Sequence, residues 1–332
     1  MALKHWEKFQ LVPSAIGHVL LLNEVEINMK MYVDWAFLQM GNWFNIAYTG
    51  SGAGNTSRPK HTEPARLRLV NDSSYTNGRV WEGARKDWCW EGSGVGYVSP
   101  IDSGTYNPNA VSVYVDNVLQ SSNDYTVNYE LGRIIFDSEQ SLASTIYAEH
   151  SHRWIQSHTM SKSQWFRELQ FSSFEGNDTQ FLQVDLSGGG WSVGSHRRIQ
   201  MPAIVIESIP RGVSRGYELG NSALTVFQDV LFHVVAEDSY MRNNMLDVLR
   251  LQKNKTIYLF DSNEIAASSA WPLTTDGDIA NANVYPNLVA ETGYRWKKCT
   301  FADAVLSEVE VMHPNLYEGT VRMTLEIVMG SI

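Results

Sequence analysis

The stretch Val111–Trp154, "VSVYVDNVLQSSNDYTVNYELGRIIFDSEQSLASTIYAEHSHRW", decides the fold. Val111, Val113 and Val115 share one parity, and Asp116-Asn117 turns the chain. Tyr125, Val127 and Tyr129 alternate again before "ELG" turns into "RIIF", and "DSEQSLAS" leads to Thr145–Ala148. A period of two places alternate side chains on opposite faces of a strand. Short strands at about 8–12-residue spacing, each closed by a turn signal, predict a β-sandwich or barrel.

Upstream, Val25, Ile27, Met29, Met31, Val33 and Trp35 alternate with Glu26, Asn28, Lys30 and Asp34, which predicts a half-buried strand. "TGSGAGNTSRPKHTEP" (Thr49–Pro64) is a loop by composition. "RVWEGARKDWCW" is rich in aromatics, and "EGSGVGYVSPIDSGTYNPN" is a second loop region. Downstream of His158, "SQWFRELQFSSF", "QFLQVDL" and "PAIVIESIP" are expected as strands, the last closed by Pro210. "ALTVFQDVLFHVVAED" is one long strand or two joined at Gln228-Asp229, and Asp238 is placed to cap a helix over "SYMRNNMLDVLRLQKN". "KTIYLFD" follows as a strand, then a loop-rich insert, then a terminal hairpin of "AVLSEVEVM" and "GTVRMTLEIVM". The expected fold class is mainly β with α+β. A β-sandwich-like domain with an N-terminal strand and a long loop spans residues 1–158. An α+β domain, a sheet with one packed helix, spans residues 159–332.

The 332 residues carry a formal charge of −10, and both halves of the chain are acidic. Without a run of Lys or Arg, a sequence-specific or counterion-releasing grip on nucleic acid is not expected. Charged residues make up only 19% of the chain, and Asn, Ser, Tyr and Trp take their place, a composition that suits sheets and interfaces. The apolar run Val19–Leu22 is too short for a secretory leader, and no segment has the length of a membrane span, so neither is expected. Cys89 and Cys299 read as two buried thiols.

No motif carries a complete catalytic set. "GVSRG" (Gly212–Gly216) matches the G-x-S-x-G elbow, but Pro210 precedes it and no helix pattern follows, so Ser214 is read as part of a flexible loop. "GSGAG" and "GSGVG" lack the strand-before, helix-after context of phosphate loops. "TTDGDIANAN" is a solvated turn. In "EHSHRWIQSH", His150 and His152 share a strand face at metal-pair spacing, yet no third ligand is evident. Both are read as interface residues at the rim of the domain. Arg197 and Arg198 of "HRR" suit salt bridges to a neighbouring subunit. Trp81, Trp88 and Trp90 are read as core or subunit-contact residues, Trp88 and Trp90 as candidate interface residues, with a glycan-facing role as the alternative.

Val113–Asn117, Asp124–Val127, Gly132–Phe136 and Thr145–Tyr147 together resemble a module of about forty residues found in structural proteins of tailed bacteriophages. In that module a glycine occupies the turn position held here by Asn117, which also tolerates positive φ. The second half is similar to the small α+β proteins that form rings at the tail end of such virions. The resemblance implies a non-enzymatic virion subunit at the head–tail junction or tail end, without cofactor. It also implies partners: further copies in a ring, taken as a hexamer, and adjacent rings such as connector or tail tube. Assembly would occur in the host cytoplasm. A tail-tip, baseplate or fibre-attachment role is the alternative, and a hydrolase is the competing class.

Overall fold

The computed structural model describes residues 21–46, 48, 65–89, 111–171, 182–184, 190–216, 224–261, 265, 272–273, 285–290, 295–313 and 315–329. The loops Thr49–Pro64 and "EGSGVGYVSPIDSGTYNPN", Trp90, and the "TTDGDIANAN" turn lie outside these residues. The fold is mainly β with α+β character, as expected.

Two four-stranded sheets form the first unit. One has the order β1 (Trp43–Ile46), β8 (Ile146–Arg153), β4 (Ser112–Val115), β5 (Val118–Leu119). The other runs β2 (Arg68–Leu69), β3 (Val80–Glu82), β7 (Arg133–Phe136), β6 (Tyr125–Asn128). The alternation of the opening stretch becomes the core between them: Val111, Val113, Ile134, Phe136, Ile146 and Ala148 meet Leu67, Trp81 and Trp88. The β4–β5 turn has φ of 48° at Asp116 and 71° at Asn117, the left-handed conformation anticipated for Asn117. Asp116 also accepts from Thr145 N and Ser144 Oγ at 2.8 Å each, which ties this turn to the entry of β8. Gly132, with φ of 62°, passes so close to the Arg85 carbonyl that a Cβ there would lie 2.4 Å from its oxygen.

The second unit is a six-stranded sheet in the order β15 (Thr256–Phe260), β16 (Arg295–His313), β17 (Leu316–Met329), β14 (Leu224–Ala236), β13 (Ala203–Gly216), β9 (Gln156–Thr159). Only β9 runs parallel to its neighbour, and it enters the sheet next to the expected boundary at residue 158. Helix α3 (Ser239–Arg250) starts where Asp238 accepts from Tyr240 N at 3.0 Å, and it buries Met245, Leu246 and Leu249 on the sheet. The opposite face is covered by α2 (Gln164–Phe171) and a three-stranded sheet of β10 (Leu182–Val184), β11 (Trp191–Val193) and β12 (His196–Ile199).

Three expectations are corrected. Residues 21–39 form a helix, α1, not a strand. It belongs to the core of the six-stranded sheet, where Val25, Met29, Tyr32 and Phe37 join Ile204, Phe232, Phe260 and Phe301. The sheet face therefore carries two helices, not one. Second, "QWFRELQF" is the helix α2, which turns Trp165, Phe166 and Leu169 to one side. Third, β13 does not stop at Pro210. It continues to Gly216 with a register shift between Ser208 and Gly212, so "GVSRG" is strand, not flexible loop. Proline is tolerated at such an irregularity on an outer edge because no ladder donor is lost there. Short helix α4 (Tyr285–Leu288) packs Tyr285 edge-on to Tyr32 of α1.

Candidate functional site

All eight residues of β8 are buried, and this strand leads from the sandwich into β9 of the larger sheet. Glu149, His150 and Arg153 each find polar partners inside the protein. Glu149 accepts from Tyr48 N at 3.0 Å and Tyr114 Oη at 3.3 Å, and burial raises its pKa. His150 stacks on Trp88 with ring centres 4.0 Å apart, and its Nδ1 is 3.1 Å from the Ala148 carbonyl. Burial pushes its pKa down to about 4, so the ring is neutral near pH 7 and donates from Nδ1 to that carbonyl. His152 stacks over Phe44 and lies 5.9 Å, centre to centre, from His150.

Arg153 closes the strand. Its Nε donates to Asp34 Oδ1 of α1 at 2.8 Å, and its Nη1 to the Trp88 carbonyl at 3.3 Å. Burial works against the guanidinium charge, but Asp34, Cys89 and Asp87 outweigh it, and the net shift is upward. A single buried cation thus joins α1, β8 and the Trp88–Cys89 segment. A buried pair of this kind adds little net stability but is costly to break from one side. Cys89 and Cys299 are free, buried thiols, and burial pushes both up to about 12, which leaves them protonated and unreactive.

The residues expected at an exposed rim are therefore placed differently. His150 is 1% exposed, and His152 and Trp88 are 0% exposed. They are interior residues, because β8 is covered on both faces rather than one; the rim assignment is corrected for the two histidines, and Trp88 belongs to the core rather than to an interface. Trp81 is 5% exposed, so neither it nor Trp88 presents a ring to a glycan. Arg198 is an intramolecular clamp: Nη1 reaches Glu82 at 3.0 Å and the Leu131 carbonyl at 3.2 Å, and Nη2 reaches the Gly83 carbonyl at 2.9 Å. It ties β12 to the end of β3, where Glu82 also accepts from Arg133. Arg197 is exposed.

A second cluster escaped sequence reasoning. His233 on β14 lies between Glu207 of β13, 3.2 Å from Nε2, and Glu318 of β17, 3.1 Å from Nδ1. The Thr320 hydroxyl is 3.2 Å from Nδ1. Burial opposes the imidazolium, but the two carboxylates prevail and raise the His233 pKa; its hydrogen bond lowers that of Glu207. The three residues are 26 and 85 positions apart, and only the strand order β17-β14-β13 brings them together. Chemically this is a charge-assisted staple across three strands. A general base needs a ring nitrogen free for substrate, and here both are engaged by carboxylates.

Ser214 sits within β13, opposite Val226 of β14, not at a strand-to-helix turn. Among the described residues no three His, Cys, Asp or Glu side chains are grouped to hold a metal ion. Also among them, no helix is long and apolar enough to cross a membrane. Comparison of the chain with known protein families and with curated proteins gives no match in either.

Proposed function

We propose that this chain is a non-enzymatic structural subunit of a tailed-phage virion, a ring subunit at the head–tail junction or tail end. The observation that carries this reading is the segment that resembles the virion module. Its four matching pieces occupy β4 and its turn, β6, β7 and β8, and Asn117 takes up the positive φ for which the module uses glycine. The polar clusters support it as well: His150, His233 and the buried cation Arg153 are engaged within the fold, and both thiols are buried. An acidic subunit at a DNA channel would repel phosphate and let DNA slide.

The tail-tip alternative loses one support, since Trp81 and Trp88 are interior. A hydrolase centred on Ser214 has no strand–turn–helix elbow to expose the nucleophile. Mass photometry and negative-stain imaging of the full chain test the reading. A closed ring of several copies is expected, six in the simplest case. A discrete monomer that loses hydrolytic activity on Ser214→Ala would overturn it.

A further inference from the structure

The six-stranded sheet has two incompletely used edges. On one side β15 covers β16 only as far as Phe301, which exchanges hydrogen bonds with Asn254 and Lys255. Among the described residues no strand pairs with the outer edge of β16 from Asp303 to His313. On the other side β9 covers β13 from Ala203 to Ile206, and Met160 N reaches the Ile206 carbonyl. Among the described residues none pairs with the outer edge of β13 from Ser208 to Gly216. Ala304, Met323, Val230 and Ser208 form one row across the sheet, so the two open stretches extend from it in opposite directions, toward opposite corners.

Open edges are templates for strand addition. These two also carry apolar side chains in water: Val213 is 53% exposed on β13, and Val305 and Leu306 are 39% and 41% exposed on β16. Their sequences are opposite in charge. Beyond Asp303, which Lys253 already holds at 2.9 Å, the β16 stretch contains Glu308 and Glu310 and no Lys or Arg; the β13 stretch contains Arg211 and Arg215 and no carboxylate. Pairing β16 with β16, or β13 with β13, would bring like charges together, whereas β16 with β13 brings opposites.

We propose that a second copy of this chain docks edge to edge, its β13 from Ser208 to Gly216 pairing with β16 from Asp303 to His313 of the first. Within one copy these strands run antiparallel, so copies related by rotation about one axis meet antiparallel. The contact is heterologous and leaves the other edge of each copy open for the next; because the two stretches are offset along the strands, it closes into a ring when the strands lean across the ring axis by that offset. In this it rests on the ring reading above and supplies its junction.

The test is cross-linking of the full chain with Val213→Cys and Ser307→Cys, using a flexible bismaleimide that tolerates a slip of register. Both native cysteines are buried and do not compete. The double variant should give a ladder of covalent multimers. A mixture of the two single variants should stop at the dimer, and either single variant alone should stay uncross-linked. Arg215→Glu should weaken self-association about tenfold in sedimentation velocity, with thermal unfolding unchanged. Ser307→Cys cross-linking to itself would overturn the proposal in favour of a two-fold contact. So would multimers that neither cross-link nor respond to Arg215→Glu, and in that case the ring reading would stand without this junction. A chain that stays monomeric at every concentration would overturn both.

Discussion

His150 and His233 are both buried imidazoles, but their surroundings shift them in opposite directions and give them opposite pH dependences. Burial among Trp88 and β8 backbone holds His150 down near about 4, so the unfolded chain binds the proton first as pH falls. Its contribution is present above about 6.5 and is lost toward pH 4, up to about 3 kcal/mol. His233 is raised by its two carboxylates, so its contribution is present below about 6.5 and is lost as pH rises through its folded value. Denaturant midpoints across this range should show His150→Phe flattening the acid limb and His233→Gln flattening the alkaline limb. Gly132 carries a different constraint. Alanine there meets both the positive φ and the Arg85 carbonyl, and should cost on the order of 3 kcal/mol in urea unfolding. Asp34→Ala leaves Arg153 buried without its carboxylate and should cost about 3–5 kcal/mol, more than Arg153→Met with Asp34→Leu together.

At the scale of elements, legibility followed solvent. Strands β4, β6 and β7, α3 with its Asp238 cap, β15 and the terminal hairpin alternate or repeat with one wetter side, and the sequence pattern located them. Helix α1 has scarcely any wet face along its middle. Glu24, Glu26, Asn28, Lys30 and Asp34 are buried along with Val25 and Met29, so polar positions no longer mark the outside and a chance alternation reads as a strand. Asn28 shows what those polar groups do: Nδ2 donates to the Phe260 carbonyl at 3.1 Å while Oδ1 accepts from Phe260 N at 2.7 Å. Helix α1 thereby satisfies the backbone of β15 with one amide side chain, and Asn28→Ala should cost about 1–3 kcal/mol and raise hydrogen exchange along β15. "GVSRG" was misread for the reverse reason. Gly212, Gly216 and Pro210 look like loop residues, but an irregular edge strand accommodates all three. The staple around His233 was not legible at all, because nothing local links residues 207, 233 and 318 before the strand order is known.

For the whole molecule, the sandwich and the large sheet are joined by β8 running into β9, by Arg153–Asp34 and by Arg198. Separate melting of the two halves is therefore not expected; calorimetry of the full chain should give one transition, and Arg198→Ala should broaden or split it. With a net charge of −10, the chain should not retain duplex DNA at physiological ionic strength in fluorescence anisotropy, and salt-dependent retention would contradict a sliding channel. Helix α1 sets one more condition. It precedes its seat in the chain: Asp34 pairs with Arg153, Glu26 accepts from Ser161 N, Val25 and Met29 join Ile155 and Ile204, and the Asn28–Phe260 bonds bridge 232 positions. This apolar segment therefore has no seat until β9 and β13 are in place. Contacts of such long sequence separation form late, and pulse-labelled refolding should show α1 gaining protection together with β13 rather than before it.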